Sequence, residues 1–165
     1  MAKELNVELG YELLDTCQLD DLAKLMLQLA PGDLGTACQN VLEHVFFWEK
    51  LERKKFFVYR IPLALQDKDF RTKVEKCKDL CHFPWRGSGD FAGIIQKMDQ
   101  HRKANNKAPY DKYSNLGFVE CTSGLYSHES VLKEKVDDIV QKFHPRLCSK
   151  LFSMLPRPTS DKRWL

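Results

Sequence analysis

The residues best placed to do chemistry lie in the run Cys77-Lys78-Asp79-Leu80-Cys81-His82. Helical spacing would set Cys77 and Cys81 on one face, where two thiolates could share a metal ion or meet a second cysteine pair. A structural zinc takes four ligands, and the remaining candidates, Cys121 and His128, stand apart from the pair in sequence. The other cysteines are Cys17, Cys38 and Cys148. Most of the six fall on apolar faces, where a free thiol behaves as a small hydrophobe. Reduced thiols are the expected state, and no metal site and no cofactor are assigned.

Other reactive residue types fail on spacing or setting. His44, His82, His101, His128 and His144 are scattered, with no His-Glu-x-x-His arrangement and no i, i+4 pair. Ser88, between Gly87 and Gly89, lacks the strand-to-helix setting of a nucleophile elbow. The same glycines lack the Gly-Lys-Ser/Thr ending of a phosphate-cradling loop. Asp137 and Asp138 are neighbours on one helix and point in different directions, a poor arrangement for metal or acid–base work. No catalytic residue is assigned, and a non-enzymatic role is expected.

The basic and aromatic segments say more. Arg53-Lys54-Lys55-Phe56-Phe57-Val58-Tyr59-Arg60 interleaves cations with aromatics, as a surface for single-stranded nucleic acid does. A second basic stretch runs over 101–112, and the chain ends in Lys162-Arg163-Trp164-Leu165. The isoelectric point near 8.5 lies below that of a dedicated nucleic-acid domain. Partner contact is therefore expected first with other protein subunits, through Trp85, Arg86, Arg102, Lys103, Lys107, Tyr110, Lys162, Arg163, Trp164 and Leu165. Nucleic-acid binding through 53–60 and 101–112 is the alternative.

The elements that must position these residues are mostly helical. Leu22, Leu25, Met26 and Leu29 form an i, i+3, i+4, i+7 stripe after Asp20, and Pro31-Gly32 stops it. A second helix carries Leu34, Ala37, Cys38, Val41, Val45 and Trp48 inward. Phe56 to Ile61 reads as a short strand or an extended segment ended by Pro62, and Gly117 to Cys121 as another short strand. Helices are expected from Asp69 through Cys81, from Asp90 through Phe91, Ile94, Ile95 and Met98, from Ser127 to Phe143, and after Pro145. Residues 83–89 and 102–117 read as connections. The fold class is mainly α: five to six amphipathic helices in one compact domain over 1–155, room for one short β pairing, and an extended C-terminal tail over 156–165.

Composition agrees. The chain of 165 residues is 43% hydrophobic and 30% charged, enough apolar content for a real core. No run is long and apolar enough to span a membrane. With no secretory or transit pattern at the start, an intracellular, reducing compartment is expected, the cytoplasm before the mitochondrion. The net charge of +3 conceals a polarity: residues 1–49 carry −7 and residues 50–165 carry +10.

Short patterns resemble known docking sequences. Leu34, Cys38 and Leu42 resemble the box that docks ubiquitin-ligase adaptors, and Leu155-Pro156-Arg157-Pro158 resembles its cullin-docking companion. In that family the two lie close together, whereas most of this chain separates them. Trp48-Glu49-Lys50-Leu51 resembles an autophagy-receptor docking pattern, which needs extended chain where a helix is expected here. The functional expectation is a non-catalytic interaction protein, an accessory or adaptor subunit of a larger assembly.

Overall fold

The computed structural model describes Leu22, Ala23, Met26, residues 44–78, Leu80, Trp85 and residues 89–155. The expected helices before His44 and the tail after Leu155 therefore lie outside the described residues, three positions aside. A 3-10 turn (Val45–Phe47) leads into α1 (Lys50–Lys55), a π-helical segment (Phe56–Arg60) and α2 (Ile61–Ala64). Then follow α3 (Lys68–Lys76), α4 (Gly89–Ala104), α5 (Asn115–Ser127), α6 (Glu129–Leu132), α7 (Val136–Phe143) and α8 (Leu147–Met154). The architecture is mainly α, and among the described residues there is no strand.

Both expected strands are helical, for different reasons. Residues 56–61 continue α1 because their aromatic side chains alternate between core and solvent on a helical period: Phe56, Phe57 and Ile61 are buried and Tyr59 is exposed. Pro62 shapes the helix here. It has no N–H to offer the Val58 carbonyl, and its ring would crowd that oxygen in a regular α-helix. The chain widens instead, and the Ile61 N–H bonds to the Phe56 carbonyl five residues back. Ser123 Oγ, from α5, donates to the Phe57 carbonyl at 2.8 Å.

Residues 117–121 belong to α5, the central helix. It is buried on most sides, through Phe118, Val119, Cys121, Thr122, Ser123, Leu125 and Tyr126. A helix surrounded by protein shows no single apolar stripe, which is why its sequence reads as a short strand. Its start is fixed by Ser114, whose side chain accepts from the Gly117 N–H at 3.1 Å. Glu75 of α3 also accepts there, from the Leu116 N–H at 3.0 Å. In return the Asn115 amide donates to the Val74, Glu75 and Cys77 carbonyls at 3.1, 3.2 and 2.7 Å, closing the end of α3.

Three further boundaries differ from the sequence reading. The helix expected through Trp48 is a 3-10 turn followed by extended backbone at Trp48, whose ring packs on Phe56 and Phe152 at 5.0 and 5.4 Å. Cys77 ends α3 in extended backbone, so no helix carries it on toward Cys81, which is outside the described residues. The helix expected from Ser127 is broken at Lys133, a left-handed residue (φ 53°), into α6 and α7. By contrast α4 presents Phe91, Ile94, Ile95 and Met98 to the core, and α8 presents Leu147, Cys148 and Leu151, as their spacing requires.

Candidate interaction surface

The reactive side chains are assembled into the interior. Arg53 of α1 meets Asp137 of α7 through Nε at 3.0 Å and through a terminal nitrogen at 2.7 Å, and Tyr126 of α5 donates its hydroxyl to the same carboxylate at 2.6 Å. Arg53 also donates to the Trp48 carbonyl at 2.6 Å. Asp137 is 2% exposed. Burial, the neighbouring Asp137 charge and then Cys148 push the Tyr126 hydroxyl well above its ordinary range. Burial alone would pull the Arg53 guanidinium down, but Asp137 holds it above its usual value. The two charges of this cluster are matched, so it fastens α1, α5 and α7 together.

Among the described residues the cysteines also serve packing. Cys121 and Cys148 are buried and Cys77 is half-buried. Burial pushes the Cys148 thiol up to about 12, against the pull of Arg53. Among the described residues no three His, Cys, Asp or Glu side chains gather as metal ligands.

The basic segment 53–60 is largely spent on the fold. Arg53 is held by Asp137, and Lys54 bonds Glu129 at 2.7 Å, with Lys50 on the same carboxylate at 3.5 Å. Phe56 and Phe57 are buried, and Phe57 stacks on Tyr126 with ring centroids 4.6 Å apart. Besides Lys50 and Glu52 at its start, this helical unit shows to solvent a row at every fourth residue: Leu51, Lys55, Tyr59 and Leu63. Leu51 is 56% exposed, Tyr59 66% and Leu63 52%. Eight residues of regular α-helix would turn Tyr59 about 80° away from Leu51. The π segment turns less per residue and brings it back into line. Pro62 thus aligns the row. Phe47, in the turn just before α1, is exposed as well.

The second basic stretch is partly tied down. Arg102 Nε donates to the Ala108 carbonyl at 2.6 Å, and its guanidinium lies 3.9 Å over the Tyr110 ring. Asn106, left-handed at φ 55°, turns the chain between them. Tyr110 and Asp111 then lie against the two glycines of α5, where a Cβ on Gly117 would run into the Asp111 carbonyl and one on Gly124 into the Tyr110 hydroxyl. Lys103 and Lys107 are exposed, and Lys112 sits 5.1 Å over the exposed ring of Tyr113.

Trp85 does not belong to a surface. It is 1% exposed, packs on Phe118 and donates its indole N–H to the Asp111 carbonyl at 3.2 Å. Its aromatic bulk is part of the core, whereas the sequence suggested an exposed contact residue. Arg86, Lys162, Arg163, Trp164 and Leu165 lie outside the described residues. The sequence reading also missed an open groove of about 620 Å³ between α4 and α7, lined by Gly93, Ile94 and Ile139 and edged by Lys97, Lys133 and Asp138. An ion pair between Lys97 and Glu134 crosses its rim.

No family model, curated protein or solved structure matches this chain. Among the described residues no helix is long and apolar enough to cross a membrane.

Proposed function

We propose that the protein is a non-catalytic interaction module, an accessory or adaptor subunit whose docking surface is the row Leu51, Lys55, Tyr59 and Leu63. The observation that carries this reading is the exposure of three large apolar side chains, aligned on one face of a helix whose opposite face is core. Aligned anchors at helical spacing are what a helix offers to a partner's groove or to a second helix, and grouped exposed apolar side chains mark interaction sites. Replacing Leu51, Tyr59 and Leu63 together by Ser tests it. Proteins that co-purify with the wild type from the native source should be lost, while far-ultraviolet circular dichroism is unchanged. Retention of the same partners at the same yield would count against the row.

A second reading, binding of RNA or DNA, is favoured by the exposed cations Lys103, Lys107 and Lys112 beside Tyr113. It predicts affinity for mixed oligonucleotides that falls steeply with salt, because neutralised phosphates release counterions. Salt-independent or absent binding sinks it.

A further inference from the structure

We propose that the seam between the end of α4 and the α5–α6 junction is an acid-opened latch: the ring contact of His101 with His128 holds it closed and is released when His128 takes up a proton. The rings lie with centroids 4.4 Å apart, tilted by 48°. His101 stands in the last turn of α4, where its carbonyl accepts from the Asn105 N–H at 3.3 Å and from the Asn105 side chain at 2.8 Å. His128 ends α5 and begins α6. It follows Gly117 and Gly124 along α5 at helical spacing, so the ring pair closes one end of the same face on which Tyr110 and Asp111 rest.

The charges around the pair give the direction of the switch. Those acting on His128 come from His101 on α4 and Lys107 on the connecting segment, and both oppose protonation, as burial does first. Glu129, the next residue, is turned to Lys54 and Lys50. Glu134 is taken by Lys97, and Arg102 by Ala108 and Tyr110. Protonation of His128 therefore puts a cation in ring contact with His101 and beside Lys107. A ring held below its ordinary value when packed regains that value when the seam opens. Packing through His128 is thus worth most above the ordinary histidine range and weakens as the pH falls below it.

The test is amide hydrogen exchange on the full chain at pH 7.5 and 5.5, corrected for intrinsic rates, in wild type, His128→Gln and His101→Gln. In the wild type, protection over 102–116 should fall roughly tenfold or more at pH 5.5, while Val140 in α7 keeps its protection. That pH dependence should disappear in His128→Gln and be reduced in His101→Gln, where burial and Lys107 still act on His128. Equal protection of 102–116 at the two pH values in the wild type overturns the latch. So does an undiminished acid loss in either variant that retains wild-type helicity.

Discussion

Arg53 and Asp137 are 84 positions apart in sequence, and their side chains form a two-pronged ion pair at 3.0 and 2.7 Å. It joins the first helical unit to α7, with Tyr126 of α5 as the third member. A buried pair of this kind adds little net stability over an apolar filling, yet breaking it from one side strands a charge. Asp137→Ala should cost about 3–5 kcal/mol, read as a lower midpoint in urea denaturation. The double variant Arg53→Met, Asp137→Leu should regain much of that loss. If it is no more stable than Asp137→Ala alone, the pair is not the source of the cost.

The π segment is held by two groups from different parts of the chain, Pro62 and Ser123. Ser123→Ala removes the donor to the buried Phe57 carbonyl and should cost about 1–3 kcal/mol. Pro62→Ala restores an N–H and lets a regular α-helix form, which turns Tyr59 out of the row. Partner binding through the row should then weaken although no row residue has changed. Wild-type affinity in Pro62→Ala would separate the row's alignment from its function.

Gly117 lets the chain at Asp111 approach the backbone of α5. Gly117→Ala must push that carbonyl away, and relief of such overpacking costs about 1–3 kcal/mol. The expected signs are a lower melting temperature and chemical-shift changes confined to 85 and 108–118. Gly93→Ala, whose Cβ would meet open space, is the control and should not destabilise a helix.

The thiol of Cys148, pushed up to about 12 by burial, should resist alkylation near neutral pH, since the thiolate is the nucleophile. Mass spectrometry after iodoacetamide treatment at pH 8 should find Cys148 unmodified in native protein and modified once urea unfolds it. Half-buried Cys77 should react first of the two. Rapid native labelling of Cys148 would contradict the packing of α8.

Burial of Glu129 opposes its charge, but the Lys54 hydrogen bond and the Lys54 and Lys50 charges outweigh it and hold the carboxyl below the usual range. A carboxyl lowered by folding contributes stability above its unfolded value, lost as the pH falls through the folded one. The urea midpoint of Glu129→Gln should therefore drop less than that of the wild type between pH 7 and pH 3.5. Parallel curves would mean the cluster is too well solvated to matter.

What the sequence determined is the set of half-exposed helices. In α4 the spacing of Phe91, Ile94, Ile95 and Met98 and in α8 that of Leu147, Cys148 and Leu151 record which face meets the core, because each helix has solvent on its other side. Tertiary structure decided the rest. The burial of α5 on most sides blurs that contrast, so Gly117 to Cys121 carries no helical stripe to read. The exposed row depends on Pro62 and on Ser123, 66 positions beyond the carbonyl it satisfies. The cations of 53–60 look free in a linear reading, yet Asp137 and Glu129 neutralise Arg53 and Lys54 once the chain closes. Local periodicity reports only a helix's own two faces. Which neighbours take up its charges, and which apolar side chains are left uncovered, is settled where distant segments meet.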